Sequence, residues 1–182
     1  MRMQRRTVVP AQPAQVVQEQ YVEPGRRRMP YPAAPIVGAV AGAAGVVVII
    51  STFFSWISGT GITGWSMMSK AGFGTSQNFL FSTGGSRIVF TGFWSLLFGV
   101  LIVAGAVTLI TGWGGANGLV LTAGILGLII SVLSIVMIYT YTVGLQHPLT
   151  PGAGLWMFAV FSLIAAVAGG VGQSQMEYMA EG

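Results

Sequence analysis

Residues 88–110 read IVFTGFWSLLFGVLIVAGAVTLI, and this stretch contains no Asp, Glu, Lys, Arg or His. At 1.5 Å per residue, an apolar helix of roughly 17–23 residues crosses a hydrocarbon core of about 30 Å. A soluble helix of that length would have a polar face. Three further uncharged apolar runs occupy residues 36–56, 119–139 and 155–171. The sequence therefore predicts an all-α integral membrane protein, an up-and-down bundle of four transmembrane helices.

Composition agrees with one membrane domain. Charged residues make up 7% of the 182 residues, against about 25% in ordinary soluble domains. We assign residues 36–172 to the transmembrane domain, with outer loops at 58–87 and 142–154. The chain has no cysteine, which excludes structural disulfides, thiolate metal sites and cysteine nucleophiles.

Residues 1–35 form a basic tail rich in Pro and Gln, which we predict to be disordered. Arg26, Arg27 and Arg28 lie about ten residues before the first span, so the positive-inside rule places the N-terminus in the cytoplasm. Four spans return the C-terminal tail, 173–182, to the same side. The prediction is a multi-pass protein of the cell membrane with both termini cytoplasmic.

The three arginines have a second interpretation besides topology. Basic residues beside a membrane attract anionic lipid headgroups at roughly 1 kcal/mol each. We therefore expect membrane lipids as partners of the chain, and nothing in the sequence points to nucleic acid.

Small residues recur at steps of three and four in every predicted span. Such steps average 3.5 residues, the period of a left-handed helix seam, and small residues let helix backbones approach closely in lipid. We predict packing within the chain or between chains, with span 1 as the best candidate for an intermolecular seam. The predicted packing residues are Gly38, Gly42, Gly45, Gly92, Gly99, Gly124, Gly127, Ser131, Ala159, Ser162 and Gly169.

The first outer loop, 58–87, carries large apolar residues in a background of Gly, Ser and Thr. We expect it to fold as a small cap or hairpin over the bundle, with a short strand at 79–81 followed by a turn. Trp65, Phe79 and Phe81 either lie on the bilayer and the bundle or contact a neighbouring protein. Trp56 and other aromatic residues near the span ends predict an interfacial aromatic belt.

The side chains that usually perform chemistry are scarce. The predicted spans contain no Asp, Glu, Lys, Arg or His, and all four acidic residues lie in the tails. Catalysis requires a base, an activated nucleophile or a metal. We therefore predict no catalytic, cofactor-binding or metal-binding residue, and a protein that is not an enzyme.

Four spans, cytoplasmic termini and a larger first outer loop resemble the claudin topology. Trp56 and Gly64–Trp65 match part of the claudin loop pattern, but its Leu and both cysteines are missing, so the resemblance implies architecture alone. The chain is also similar to small prokaryotic four-span membrane proteins whose first helix ends in an aromatic, Ser/Gly-rich segment, here residues 54–59, FSWISG. Neither resemblance implies an activity.

Two functions follow as hypotheses. The first is a non-enzymatic membrane scaffold or accessory subunit that binds other membrane proteins or a second copy of itself. The second is a passive channel or transporter subunit for a small neutral or apolar solute, suggested by hydroxyl-bearing and glycine-lined helices.

Overall fold

The computed structural model describes residues 33–69, 76–77, 81–84, 87–111, 116–142 and 149–178, with side chains described within 35–69, 90–111, 118–140 and 149–173. The elements in chain order are α1 (Ala33–Ser51), α2 (Gly64–Ser69), β1 (Ser76–Gln77), β2 (Phe81–Gly84), β3 (Arg87–Phe90), α3 (Phe93–Thr111), α4 (Ala116–Thr142) and α5 (Ala153–Tyr178).

The four long helices of the described chain form an antiparallel bundle. α1 packs mainly on α3 and α5, and α4 packs mainly on the same two helices. α1 and α4 therefore occupy opposite corners. The end of the bundle where α1 ends and α3 and α5 begin is called the capped end below. The opposite end, where α1 begins and α5 ends, is called the terminal end.

Three of the four long helices have the length and composition of membrane spans. Their outward faces are covered by Val, Ile and Leu side chains, which would form an unusually large apolar patch on a soluble protein. α1 contributes a shorter apolar stretch, Pro35–Ser51. Three helical stretches are long and apolar enough to cross a membrane, Phe93–Thr111, Gly118–Thr140 and Ala153–Gln173.

Two of the predicted spans have different limits in the structure. The predicted span 36–56 stops with α1 at Ser51, because the next three backbone N–H groups donate to carbonyls three residues back and tighten the chain into a turn. The predicted span 88–110 becomes helical only at Phe93, because residues 87–90 form β3. The predicted spans 119–139 and 155–171 lie inside the longer helices α4 and α5.

A small antiparallel sheet, in the order β1-β2-β3, follows α2. In its hairpin, Phe81 pairs with Phe90 and Gly84 pairs with Arg87. Of the predicted strand at 79–81, only Phe81 lies among the described residues, as the first residue of β2. The second strand of the hairpin, β3, takes residues assigned to span 2. The β-branched pair Ile88–Val89 favours a strand. β3 contacts α4, so the sheet is held at the capped end.

Apolar side chains fill the space between the helices. Near the capped end, Val48, Ile102 and Phe158 belong to one buried cluster. Near the terminal end, Ala41 and Val120 belong to a second cluster made largely of small residues. Larger branched side chains cover the outside of the bundle. The bundle is close-packed with small residues at the helix contacts, a pattern typical of helices that associate in lipid.

Candidate functional site at the capped end

The Trp56 side chain fills the interior of the bundle at the capped end. Its side chain is fully buried, and its indole Nε1–H donates a hydrogen bond of 3.0 Å to the backbone oxygen of Ser51. That oxygen lies at the C-terminal end of α1, where helical carbonyls lack intrahelical partners. The ring stacks on Phe158 of α5 with centroids 6.1 Å apart. Trp56 therefore links the end of α1 to α5.

The burial of Trp56 corrects the expectation that it belongs to the interfacial belt. Two glycines from other segments make room for its ring. A Cβ added at Gly64 would lie 2.7 Å from Trp56 Cε2, and a Cβ at Gly154 would lie 2.9 Å from Cδ1. Real Cβ atoms do not approach so closely, so both positions require glycine to hold the indole ring in place.

A buried pair of hydroxyl groups connects α1 to α3. Thr52 Oγ1 and Ser95 Oγ lie 2.7 Å apart, and both side chains are fully buried. Ser95 Oγ donates its hydrogen to the backbone oxygen of Gly92 at 2.9 Å, so Thr52 is the donor to Ser95. The backbone oxygen of Thr52 accepts from Trp65 N–H at 2.9 Å. Three separate segments thus meet at Thr52.

Residues 52–69, 91–92 and 149–152 cover the capped end and are called the cap below. Close backbone contacts hold its segments together. Gly92 N–H donates to the Gly64 oxygen at 3.1 Å, and Gly152 N–H donates to the Trp56 oxygen at 2.7 Å. A Cβ at Gly92 would collide with the Gly64 carbonyl, and a Cβ at Gly152 would collide with the Ser55 oxygen. No side chain fits at either of these backbone contacts, so both positions require glycine.

The outer face of the cap presents a turn and an aromatic pair. Gly59 and Gly61 have φ angles of 75° and 68°, in the left-handed region that favours glycine. Phe53 and Trp65 stack with centroids 5.6 Å apart, and their side chains remain 55% and 45% exposed. Trp65, one of the predicted contact residues, therefore lies on the surface within a preformed aromatic patch.

The predicted packing glycines of span 1 face α3 of the same chain. A Cβ at Gly38 would lie 2.5 Å from Ile110 Cγ1, and a Cβ at Gly45 would lie 2.8 Å from Val103 Cγ2. Gly99 of α3 approaches α1 in return. Gly42 is looser, since its added Cβ would be 3.5 Å from the nearest atom. The suggested intermolecular seam of span 1 is therefore occupied within the molecule.

The predicted residues of spans 3 and 4 form the contact between α4 and α5. A Cβ at Gly124 would lie 2.5 Å from the backbone nitrogen of Ala166, and one at Gly169 would lie 2.5 Å from that of Leu121. Gly127 faces Ser162, whose Oγ is a buried side-chain oxygen without a hydrogen-bond partner among the described residues. Ser131 and Ala159 are also buried.

Several predicted residues lie outside the described part of the chain. These are Phe79 and the arginines 26–28. Phe81 lies in β2, but its side chain is outside the described set. Within the described ranges, His, Cys, Asp and Glu form no group of three that could hold a metal ion.

Sequence reasoning missed the residues that build the cap around Trp56. Gly64, Gly152 and Gly154 were not among the predicted packing residues, although glycines flanking an aromatic residue or a proline can mark a close approach. The pairing of Thr52 with Ser95 was not predicted, because hydroxyls in apolar helices usually bond their own backbone.

Comparison with known proteins found no relative of this chain. The chain matches no known protein family, no curated protein and no solved structure.

Proposed function

We propose that this chain is a non-enzymatic membrane scaffold or accessory subunit that binds other membrane proteins or a second copy of itself. The supporting observation is the exposed aromatic pair Phe53–Trp65 on a cap held rigidly by backbone and hydroxyl hydrogen bonds. Aromatic residues are enriched at protein interfaces, and a preorganised surface loses little conformational freedom on binding.

The proposal includes four transmembrane helices. α1 has 19 residues and is therefore roughly 28 Å long, close to the thickness of the hydrocarbon core. It lies alongside α3 and α5, so it shares their depth in the bilayer. Its outward residues, including Ile36, Val46 and Ile50, are apolar and exposed, which suits contact with lipid.

The proposed location is the cell membrane, with both termini in the cytoplasm and the cap outside. α1 begins and α5 ends at the terminal end, so both tails emerge on one side if all four helices cross. The arginine-rich N-terminal tail marks that side as cytoplasmic by the positive-inside rule. Lys70 and Arg87, the two cations between the first two predicted spans, fall on the opposite side.

Interior hydroxyl groups support a structural role rather than transport through one bundle. Ser51 Oγ donates to the Val48 oxygen at 2.6 Å, and Ser131 Oγ donates to the Leu128 oxygen at 2.8 Å. Both hydroxyls are thus engaged by their own helices. Buried Val48, Ile102 and Phe158 occupy the interior. The alternative function, a passive channel for a neutral solute, would need a path between copies.

Purification in mild detergent tests the proposal. We expect a discrete oligomer or a stoichiometric membrane-protein partner, and we expect Trp65→Ser to dissolve that assembly by removing half of the aromatic pair. Trp156→Ser is the matched control, because Trp156 is equally exposed on α5. A monomer without partners would contradict the proposal, and solute flux in reconstituted liposomes would favour the channel.

A further inference from the structure

Two matching series of small residues form the contact between α4 and α5. The residues of each series follow one another at steps of three, four and three positions. The α4 series is Gly124, Gly127, Ser131 and Ser134, and the α5 series is Ala159, Ser162, Ala166 and Gly169. All eight residues are buried. Because the two helices run antiparallel and the steps read the same in both directions, the two series can align residue for residue.

In the structure the two series are displaced from this full alignment by one helical turn. Gly124 faces Ala166, and Gly127 faces Ser162. Full alignment would instead place Gly124 opposite Gly169 and Gly127 opposite Ala166. It requires α4 to move by three or four residues, roughly 5 Å, toward the terminal end. Such a move keeps the same face of α4 against α5, because steps of three and four follow the helical turn. We call the two arrangements the described register and the shifted register.

The hydroxyl group of Ser162 is the observation that favours a second register. Ser162 is fully buried, and its Oγ has no hydrogen-bond partner in the described part of the chain. The oxygen points at α4, since a Cβ added at Gly127 would lie 2.7 Å from it. A buried hydroxyl without a partner costs free energy. The shifted register would bring Ser131 to the place of Gly127 and so beside this hydroxyl.

Ser131 is suited to accept a hydrogen bond there. Its Oγ donates to a backbone oxygen of its own helix at 2.8 Å, and a hydroxyl that donates can still accept through its oxygen lone pairs. The same arrangement already joins α1 to α3. Thr52 donates to Ser95, and Ser95 Oγ donates to a backbone oxygen of its own segment. Ser162 and Ser131 would therefore repeat a pairing that this bundle already contains.

Hydrogen bonds at the capped end hold α1, α3 and α5 together as a frame. Thr52 and Ser95 join α1 to α3. Gly154 N–H, in the first turn of α5, donates to the Ser55 oxygen at 2.9 Å. α4 packs against this frame through its small residues and contacts β3 at the capped end. A movement of α4 along α5 therefore leaves these bonds of the frame intact.

We infer that α4 slides by one helical turn along α5 between the described and the shifted register, and that Ser162 donates to Ser131 in the shifted one. One-turn shifts between packed elements are a known form of conformational switching. Val120 and Ile138 are buried beyond the two ends of the α4 series and are displaced by the shift, so the described register is the more populated. A molecule that contacts one position of α4 better than the other changes the populations.

Disulfide trapping in membranes tests the inference, because the chain has no cysteine. Ser131→Cys is combined with a second cysteine on α5. With Ala159→Cys it reports the described register, since both positions lie one heptad from the contact of Gly124 with Ala166. With Ser162→Cys it reports the shifted register. With Leu155→Cys it is the matched control, because position 155 lies one turn from position 159 in the opposite direction.

The rates of disulfide formation distinguish a directed shift from general mobility. Mass spectrometry after thiol alkylation counts the cysteines that remain free. We expect the 131/159 pair to close fastest and the 131/162 pair to close about tenfold faster than the 131/155 control, because cysteines with Cα atoms beyond about 7 Å do not bridge. Equal rates for the 131/162 and 131/155 pairs would overturn the inference.

Gly169→Ala provides a second test that leaves the cysteine positions unchanged. In the described register its Cβ would lie 2.5 Å from the backbone nitrogen of Leu121, whereas in the shifted register it would face Gly124. The substitution should therefore slow the 131/159 pair and speed the 131/162 pair by about fivefold. Gly42→Ala on α1 is the control and should change neither rate.

The outcomes of this second test are also distinct. Unchanged rates with Gly169→Ala would show that α4 does not slide. Faster closure of all three pairs would show general loosening of the contact, and the inference would be wrong. The traps report contacts within one chain, so the inference stands or falls separately from the proposed scaffold function.

Discussion

The indole Nε1–H of Trp56 donates a hydrogen bond to the carbonyl oxygen of Ser51, the last residue of α1, at 3.0 Å. This contact turns the chain back over the end of α1 and carries the ring into the bundle, where it stacks on Phe158. An aromatic residue at the end of a membrane helix thus serves here as part of the core. The cap and the helices are stabilised together through it.

Replacing Trp56 with Phe should lower the free energy of unfolding by about 2 kcal/mol. The change removes a buried hydrogen bond, worth about 1 kcal/mol, and leaves a cavity beside Gly64 and Gly154. Thermal unfolding of the purified protein in detergent measures the effect. Trp156→Phe is the control and should change stability by less than about 0.5 kcal/mol, because Trp156 is exposed. Equal melting temperatures for the two variants would contradict the assigned role.

A methyl group at Gly124 should destabilise the contact between α4 and α5. The Cβ of Gly124→Ala would meet the backbone nitrogen of Ala166 at 2.5 Å, and a backbone atom cannot rotate away. We expect a loss of about 1–3 kcal/mol, as for other overpacked sites.

Gly42→Ala is the matched control for that substitution. Its nearest neighbour is the methyl group of Ala106 at 3.5 Å, which is ordinary van der Waals contact. Alanine is also the better helix former, so this variant should keep or slightly raise the melting temperature. A larger loss of stability in Gly42→Ala than in Gly124→Ala would contradict the close contact assigned to α4 and α5 and the looser contact assigned to α1 and α3 at these positions.

Two of the buried serines, Ser95 and Ser162, should respond oppositely to replacement by alanine. Ser95→Ala leaves Thr52 without its acceptor and the Gly92 oxygen without its hydroxyl donor, so it should cost about 1–2 kcal/mol. Ser162→Ala removes a buried hydroxyl that has no hydrogen-bond partner in the described part of the chain and should be neutral or stabilising. Chemical or thermal unfolding of both variants checks the difference, and a similar loss in both would contradict it.

The sequence predicts α4 and α5 well and the start of α3 poorly, for a physical reason. A long uninterrupted apolar run in a bilayer forms a helix, because every backbone N–H and C=O group must be hydrogen-bonded within the segment. Residues 88–90 are equally apolar but sit at the end of their run, where a strand paired with β2 also satisfies the backbone. Hydropathy alone does not distinguish these two states for a short segment.

The cap shows a second limit of sequence reasoning. Trp65 is predictable as a surface aromatic residue because it lies in a polar, glycine-rich stretch. The burial of Trp56 is not predictable locally, since it depends on Gly64 and Gly154 arriving from two other parts of the chain. The pairing of Thr52 with Ser95, 43 residues apart, is likewise a product of the tertiary fold.

The central claim, four spans with both termini on the cytoplasmic side, is tested most directly by cysteine labelling. The chain has no cysteine, so each introduced thiol reports one position. Ser58→Cys, at an exposed position of the cap, should react with an impermeant maleimide on intact cells. Ala14→Cys and Ser174→Cys should react only after the membrane is opened. Labelling of Ala14→Cys on intact cells would show that the N-terminal tail is outside and that the proposed orientation is wrong. Labelling of only one of the two tails on intact cells would place them on different sides of the membrane and contradict four spans.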